Sequence, residues 1–161
     1  MNKRIFTGSY DKCIAGNLIS ISFDKGKSAG FNGKTILELA PFRDFFDIWR
    51  SNKGKISEEE NTRYYIEQYY SRVLSKVDIE ELLKDEKDPI LLCYEESQDF
   101  CHRHVLAEYI KIKYGIEVPE IEVSEDLEIK VNDRPTSIRP ILLDVIEKYK
   151  ELNLKSEIDE R

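Results

Sequence analysis

Residues 88–103 read DPILLCYEESQDFCHR, and this stretch decides the fold. Asp88-Pro89 halts the helix before it, and Ile90-Leu91-Leu92-Cys93 is a continuous apolar run of the kind a strand covered on both faces requires. That strand belongs near the centre of a sheet. The acidic turn Tyr94 to Asp99 follows. From Phe100 to Tyr114 the residues Val105, Leu106, Tyr109, Ile110 and Ile112 supply the buried side of a helix, with Gly115 as its stop. Strand, turn and helix in series make an α/β unit, and ligands of open α/β sheets gather beyond the carboxyl ends of the strands.

Working outward, Lys3 to Tyr10 reads as a first strand, and Leu18 to Phe23 alternates apolar residues with serine in the period of a half-buried second one. Asp24 to Thr35 holds three of the seven glycines and three lysines, the composition of a loop. Phe42, Phe45, Phe46 and Trp49 fall at helical spacing, a stripe expected in the core. Ser57 followed by Glu60 has the spacing of a capping box and opens a long helix to about Lys76, with a shorter one over 77–86. Downstream, 116–123 and 127–131 suit a peripheral hairpin with one wet face, and a last helix runs from Ser137 to about Leu152 with Pro140 in its first turn. One α/β domain over residues 1–154 is expected, its sheet mostly parallel and flanked by helices, with a loose tail over 155–161.

Composition narrows the function. The 161 residues, 40% hydrophobic and 35% charged, suit one well-buried core. A net charge of −7 argues against wrapping duplex DNA, which needs many cationic contacts to phosphate, but leaves room for a local basic pocket. Met1-Asn2-Lys3-Arg4 leads straight into Ile5-Phe6 with no apolar stretch of signal or membrane length, so a cytoplasmic protein is expected. The three cysteines, at 13, 93 and 101, are an odd number without CxxC spacing, so reduced thiols are expected.

With Asp99 as helix N-cap, the free amides of Phe100, Cys101 and His102 and the positive end of the helix dipole make an anion site, to which Arg103 adds a bidentate donor. The same position lowers the pKa of Cys101 toward a nucleophilic thiolate. The alternative is that Cys101 packs inward as a small hydrophobe. His102 is either an acid/base or phosphate-contacting group or a satisfied core imidazole, while His104 reads as exposed. Glu95, just past the strand end, is a candidate base or a group that orients an arginine. Cys93 reads chiefly as core, with ligand contact as its other role.

Thr7, Ser9 and Tyr10 reach the same rim if the first strand runs parallel to Ile90–Cys93, and there they either bind a polar ligand or satisfy loop backbone. No metal or other cofactor is expected: adjacent Cys101 and His102 on a helix point about 100° apart, and Cys13 and Cys93 lack partners at zinc-knuckle spacing. Ser28 to Thr35 imitates a phosphate loop, but Ser28 stands where glycine is needed and Pro41 would break the helix that must follow.

Leu91 to Ile110, LLCYEESQDFCHRHVLAEYI, resembles the hallmark of the domain-of-unknown-function 488 family, an LLC-x-E strand end followed by CHR at a helix start. Thr7 and Tyr10, the LAPF segment from Leu39 before the helix containing Trp49, and Tyr69 with Val73-Leu74 extend the likeness over residues 3–120. The resemblance implies a compact three-layer, Rossmann-like α/β domain in which Cys93, Glu95, Cys101, His102 and Arg103 form the signature cluster. It implies little chemistry.

The residues give the expectation that the turn from Cys93 to Arg103 binds and processes a phosphate-bearing ligand, a nucleotide or a nucleic-acid end. Two other readings stand beside it. One is a binding module without catalysis, in which tyrosines stack a base; the other is an interaction protein whose Cys/His/Arg cluster is structural. A second copy of the chain is a candidate partner; a membrane is not.

Overall fold

The computed structural model describes residues 1–159, with side chains to residue 156. In chain order the elements are β1 (Phe6–Ser9), β2 (Asn17–Ser20), β3 (Lys34–Thr35), α1 (Arg43–Asn52), α2 (Glu58–Arg72), α3 (Ile79–Leu83), β4 (Pro89–Cys93), α4 (His102–Tyr114), β5 (Glu120–Val123), β6 (Ile129–Asn132) and α5 (Ile138–Asp159). The strands form one sheet in the order β3-β2-β4-β1-β5-β6, parallel throughout except for β6 against β5. Lys34 and Thr35 belong to a strand, not to the helix a phosphate loop would require.

Every residue of β4 is buried, and β4 is laddered to β2 on one side and β1 on the other, as its unbroken apolar run predicts. Ser9 lies opposite Cys93, so β1 and β4 end at one rim. The period-2 alternation then sorts the two faces. Ile5, Ile19, Ile21 and Leu91 point to one face, into the main core, where they meet Phe45 and Trp49 of α1, Tyr65 and Tyr69 of α2, Ile79 and Leu83 of α3, Val105 and Leu106 of α4 and Leu142 of α5. Ile90, Leu92, Ile121 and Val123 point to the other face, into a smaller cluster covered by Cys13 and, at its edge, Tyr10 and Phe31. The helices therefore gather on one face, and loop segments replace the third layer that was expected. The 10–16 turn and the glycine-rich loop cover that face without a long helix.

Local signals account for the helix ends. Ser57 Oγ accepts from the Glu60 amide at 3.1 Å, and Asp78 caps α3 in the same way. Gly115 ends α4 with φ of 70°, the left-handed conformation that glycine adopts without steric cost. In the aromatic stripe of α1, Phe45 and Trp49 are buried, whereas Phe42 precedes the helix and is exposed.

Three peripheral expectations change. The wet face predicted for the hairpin is confined to β6, because β5 is buried on both faces apart from Glu122. The last helix runs on to Asp159, through most of the segment read as a loose tail, of which residues 160–161 lie outside the described residues. The third is the start of α4, two residues later than read, which bears on the site. No helix among the described residues is long and apolar enough to cross a membrane.

Candidate functional site

Beyond the carboxyl ends of β2 and β4 the chain opens a cleft of about 460 Å³. Cys93, Cys101 and His102 form its floor. Phe23, Phe46, Trp49, Tyr94 and Phe100 wall it, and Arg43 and Arg50 stand at the mouth. Both arginines are exposed, and neither makes an ion pair among the described residues; each guanidinium lies over an aromatic ring, Arg43 on Phe23 and Arg50 on Phe46. Asp24 shapes the rim instead of lining it with free charge. Its carboxylate accepts from the Gly26 and Ser28 amides and from the Tyr94 hydroxyl, which together hold its pKa below the ordinary value against the opposing effect of burial. Burial and the neighbouring Asp24 carboxylate push the Tyr94 phenol up to about 12.

The start of α4 carries the signature residues. Cys101 is its N-cap in extended conformation (φ −154°, ψ 152°), so Asp99 is not the cap and the first helical residue is His102. Among the described residues the amides of His102 and Arg103 have no backbone acceptor, which moves the predicted anion-binding amides two positions along the chain. Because Cys101 lies outside the helix, the 100° separation expected between it and His102 does not apply. Its side chain turns back to the strand end, where Cys93 and Cys101 form a disulfide, contrary to the expectation of reduced thiols.

His102 is 6% exposed. Its Nε2–H donates to the Ile21 carbonyl at 2.7 Å, which leaves the Nδ1 lone pair facing Cys101 Sγ at 3.7 Å. Burial, with a smaller contribution from the Arg103 charge, lowers its pKa to about 4, so the ring is neutral near pH 7.

Arg103 does not reach the cleft as an anion donor. It is fully buried: Nε and Nη2 hold the Glu120 carboxylate, Nη1 lies 3.0 Å from Cys93 Sγ, and Nη2 also donates to the Glu95 carbonyl at 2.7 Å. With its donors consumed internally, its role is to position the strand end. Glu95 serves that arrangement through its main chain, while its carboxylate is exposed at the cleft.

His104, read as exposed, has no solvent exposure. Its Nδ1 accepts from Arg134 Nη1 at 3.0 Å, and its Nε2 has no partner among the described residues. Arg134 also donates to the Val118 carbonyl and to Thr7 Oγ1, and Thr7 in turn donates to Glu120 Oε1 at 2.7 Å. Thr7 is thus part of a buried polar network beneath the site, not a rim hydroxyl. Ser9 donates to Asp11, and the Tyr10 hydroxyl bridges Ser20 and Ser22 from the opposite face, so none of these three lines the cleft.

Of the predicted residues, the fold brings together Cys93, Glu95, Cys101, His102 and Arg103. Arg43, Arg50 and Glu120 were missed. Arg43, Phe46 and Arg50 recur at i, i+3 and i+7 beside the aromatic stripe, a second face of the same helix that the sequence displays. Glu120 gives no such signal, because its strand alternates acidic and apolar residues like any half-wet strand.

A family model described as DUF488-N3a, "Active DUF488-N3 subclade", matches residues 24–114, from the rim loop at Asp24 to the last residue of α4. No curated protein and no solved structure matches the chain.

Proposed function

The chain belongs to the DUF488 family, and on that premise we propose that it binds and processes a small phosphate-bearing ligand, a nucleotide or a nucleic-acid end, in the cleft above Cys93, Cys101 and His102. The observation that carries this reading is the pairing of aromatic walls with two exposed arginines, neither in an ion pair among the described residues, at one mouth. Aromatic faces stack a base regardless of its identity, and guanidinium forks match phosphate oxygens. The phosphate role expected of Arg103 passes to Arg43 and Arg50.

A Rossmann-like reading of the sheet favours the same place, since the cleft lies where parallel strands β2 and β4 end. The description of the matching family as active favours processing over binding alone.

Trp49, the single tryptophan, lines the cleft, so titrating the protein with a panel of nucleoside mono-, di- and triphosphates reads binding directly in its fluorescence. The expected result is saturable quenching, with affinity weakened about a hundredfold or more in the Arg43→Ala/Arg50→Ala double variant, which removes two charge-assisted contacts at roughly 1.5–3 kcal/mol each. Unchanged affinity in that variant would sink the phosphate reading. Phosphorus NMR of the same mixtures decides between processing and a module that leaves its ligand intact.

A further inference from the structure

We propose that Cys93 Sγ, Cys101 Sγ and His102 Nδ1, once the disulfide is reduced, bind one zinc-class divalent ion whose fourth position opens into the cleft. The three donor atoms lie within 4.8 Å of one another and come from three differently constrained places: the end of β4, the N-cap of α4 and the first residue of that helix. Cys13 is excluded, since it sits in the other cluster with its thiol on the Ile121 carbonyl.

The imidazole gives the strongest argument. Its Nε2–H is committed to the Ile21 carbonyl, the outer-shell contact that fixes the tautomer of a metal-binding histidine and aims the other nitrogen at the ion. The aimed nitrogen, Nδ1, faces Cys101 Sγ at 3.7 Å with Cys93 Sγ close by, and in the disulfide neither sulfur has a hydrogen to donate. Reduction gives Cys101 a hydrogen that Nδ1 can accept, and an ion bound by both atoms takes the place of that proton.

The surroundings suit thiolate ligands. Arg103 Nη1 lies 3.0 Å from Cys93 Sγ, an N–H donor directed at the sulfur. The guanidinium charge is already balanced by Glu120, so the pair adds no net repulsion toward a cation. Two thiolates and a divalent ion are also neutral together, which a dry floor requires. The ligand set of two sulfurs and one nitrogen selects zinc over magnesium or calcium, which take oxygen ligands. Zinc–sulfur bonds of about 2.3 Å place tetrahedral sulfurs roughly 3.8 Å apart. The Cα atoms of Cys93 and Cys101 are 7.5 Å apart, which accommodates that spread.

The steps balance as follows. A small-molecule thiol or phosphine reductant supplies two electrons to the S–S bond and is itself oxidised, to a disulfide or a phosphine oxide, while two protons arrive at Cys93 and Cys101. Metal binding then releases those two protons. With three protein ligands and an open fourth site, the ion would hold a water or a phosphate oxygen of the cleft ligand. In that respect the inference deepens the proposed function, although metal binding stands without any ligand.

The test uses the full chain, reduced and desalted without air, then titrated with Co²⁺ and back-titrated with Zn²⁺. One equivalent of Co²⁺ is expected to give thiolate-to-metal charge-transfer and tetrahedral d–d absorption, both abolished by Zn²⁺. The bands should persist in Cys13→Ser and in Arg43→Ala/Arg50→Ala, which separates this result from the fate of the phosphate reading. Affinity should fall about tenfold or more in His102→Gln and the charge-transfer intensity should drop in Cys93→Ser. Should those variants misfold, iodoacetamide labelling of the unmutated reduced chain, read by mass spectrometry, gives the answer: Zn²⁺ is expected to protect Cys93 and Cys101. Absence of thiolate–cobalt bands in the reduced chain, or labelling of both cysteines unaffected by Zn²⁺, overturns the proposal.

Discussion

Arg103 and Glu120 form an ion pair almost wholly removed from water, with Nη2 and Oε2 2.7 Å apart and side-chain exposures of 0% and 2%. The pair ties the first turn of α4 to β5 and, through Arg103 Nη1 and Nη2, fixes Cys93 and the Glu95 carbonyl at the end of β4. Its two partners are therefore a brace under the cleft. Removing one partner leaves the other charge buried and uncompensated, whereas removing both at similar volume does not.

Glu120→Ala is accordingly expected to cost about 3–5 kcal/mol of stability, read as a lower urea midpoint at unchanged slope. The double replacement Arg103→Met/Glu120→Leu should recover a large part of that loss. If Glu120→Ala shifts the urea midpoint no more than removing an exposed pair such as Lys84 with Glu81 does, the brace carries no weight.

Gly8 packs its backbone against Cys13 on the loop-covered face. A Cβ placed there would overlap Cys13 Sγ and lie 2.9 Å from the Ile121 carbonyl. Gly8→Ala should therefore destabilise by about 1–3 kcal/mol, and adding Cys13→Ala should relieve part of it, since the sulfur is the nearer obstacle. Equal thermal midpoints for the single and double variants would rule out the sulfur contact as the cause.

His104 makes the fold acid-sensitive. Burial, and then the charges of Arg103 and Arg134, lower its folded pKa below the ordinary 6.5. The unfolded chain thus binds the proton first, and stability is full above the unfolded value and falls as pH drops below about 6.5, at up to about 1.4 kcal/mol per pH unit per histidine. His102 adds to the slope until its own folded pKa of about 4 is reached. His104→Asn keeps an acceptor for Arg134 but removes the titration, so its stability between pH 6.5 and 4.5 should fall about half as steeply. An unaltered slope in urea unfolding across that range would exclude His104 as a source.

Tyr94 separates ligand recognition from folding. It lines the cleft, is 39% exposed, and packs against Tyr10 at a tilt of 56° with ring centres 4.8 Å apart. Tyr94→Ala should weaken nucleotide binding by about 1–3 kcal/mol, the worth of one base–aromatic stack, and leave the thermal midpoint within a few degrees. A stack on Tyr94 would be excluded by a calorimetric titration in which the variant binds as tightly as the parent.

Much of this was legible in the residues. The unbroken run Ile90 to Cys93 announced a central strand, and the caps at Ser57 and Gly115 sit where their residue types say they should. The site was legible as a place but not in its parts. Arg103 was read as a ligand donor because an arginine at a helix start is ordinarily free, and only the fold shows that Glu120, 17 residues away, takes it. The start of α4 was misplaced by two residues because Asp99 is the better capping side chain, yet the tertiary position of Cys101 decided the matter. The one-sided helix packing was invisible too, since an apolar strand face reads the same under a loop as under a helix.

The floor of the cleft and its walls differ in mechanical independence. Cys93 ends a strand laddered on both edges and buried on both faces, so its amides should exchange with solvent only through global unfolding. The walls come from the rim loop at Ser22 to Ser28, from α1 and from the turn at Tyr94 and Phe100, and surface segments of this kind are expected to open locally at lower free energy than the central strand. Occupants of different girth can thus be admitted by shifts of the walls while the sulfur and imidazole groups keep their spacing. On the function proposed above, the residues that would set selectivity, chiefly 22–50, are separate from the floor of Cys93, Cys101 and His102, so the two are free to vary independently.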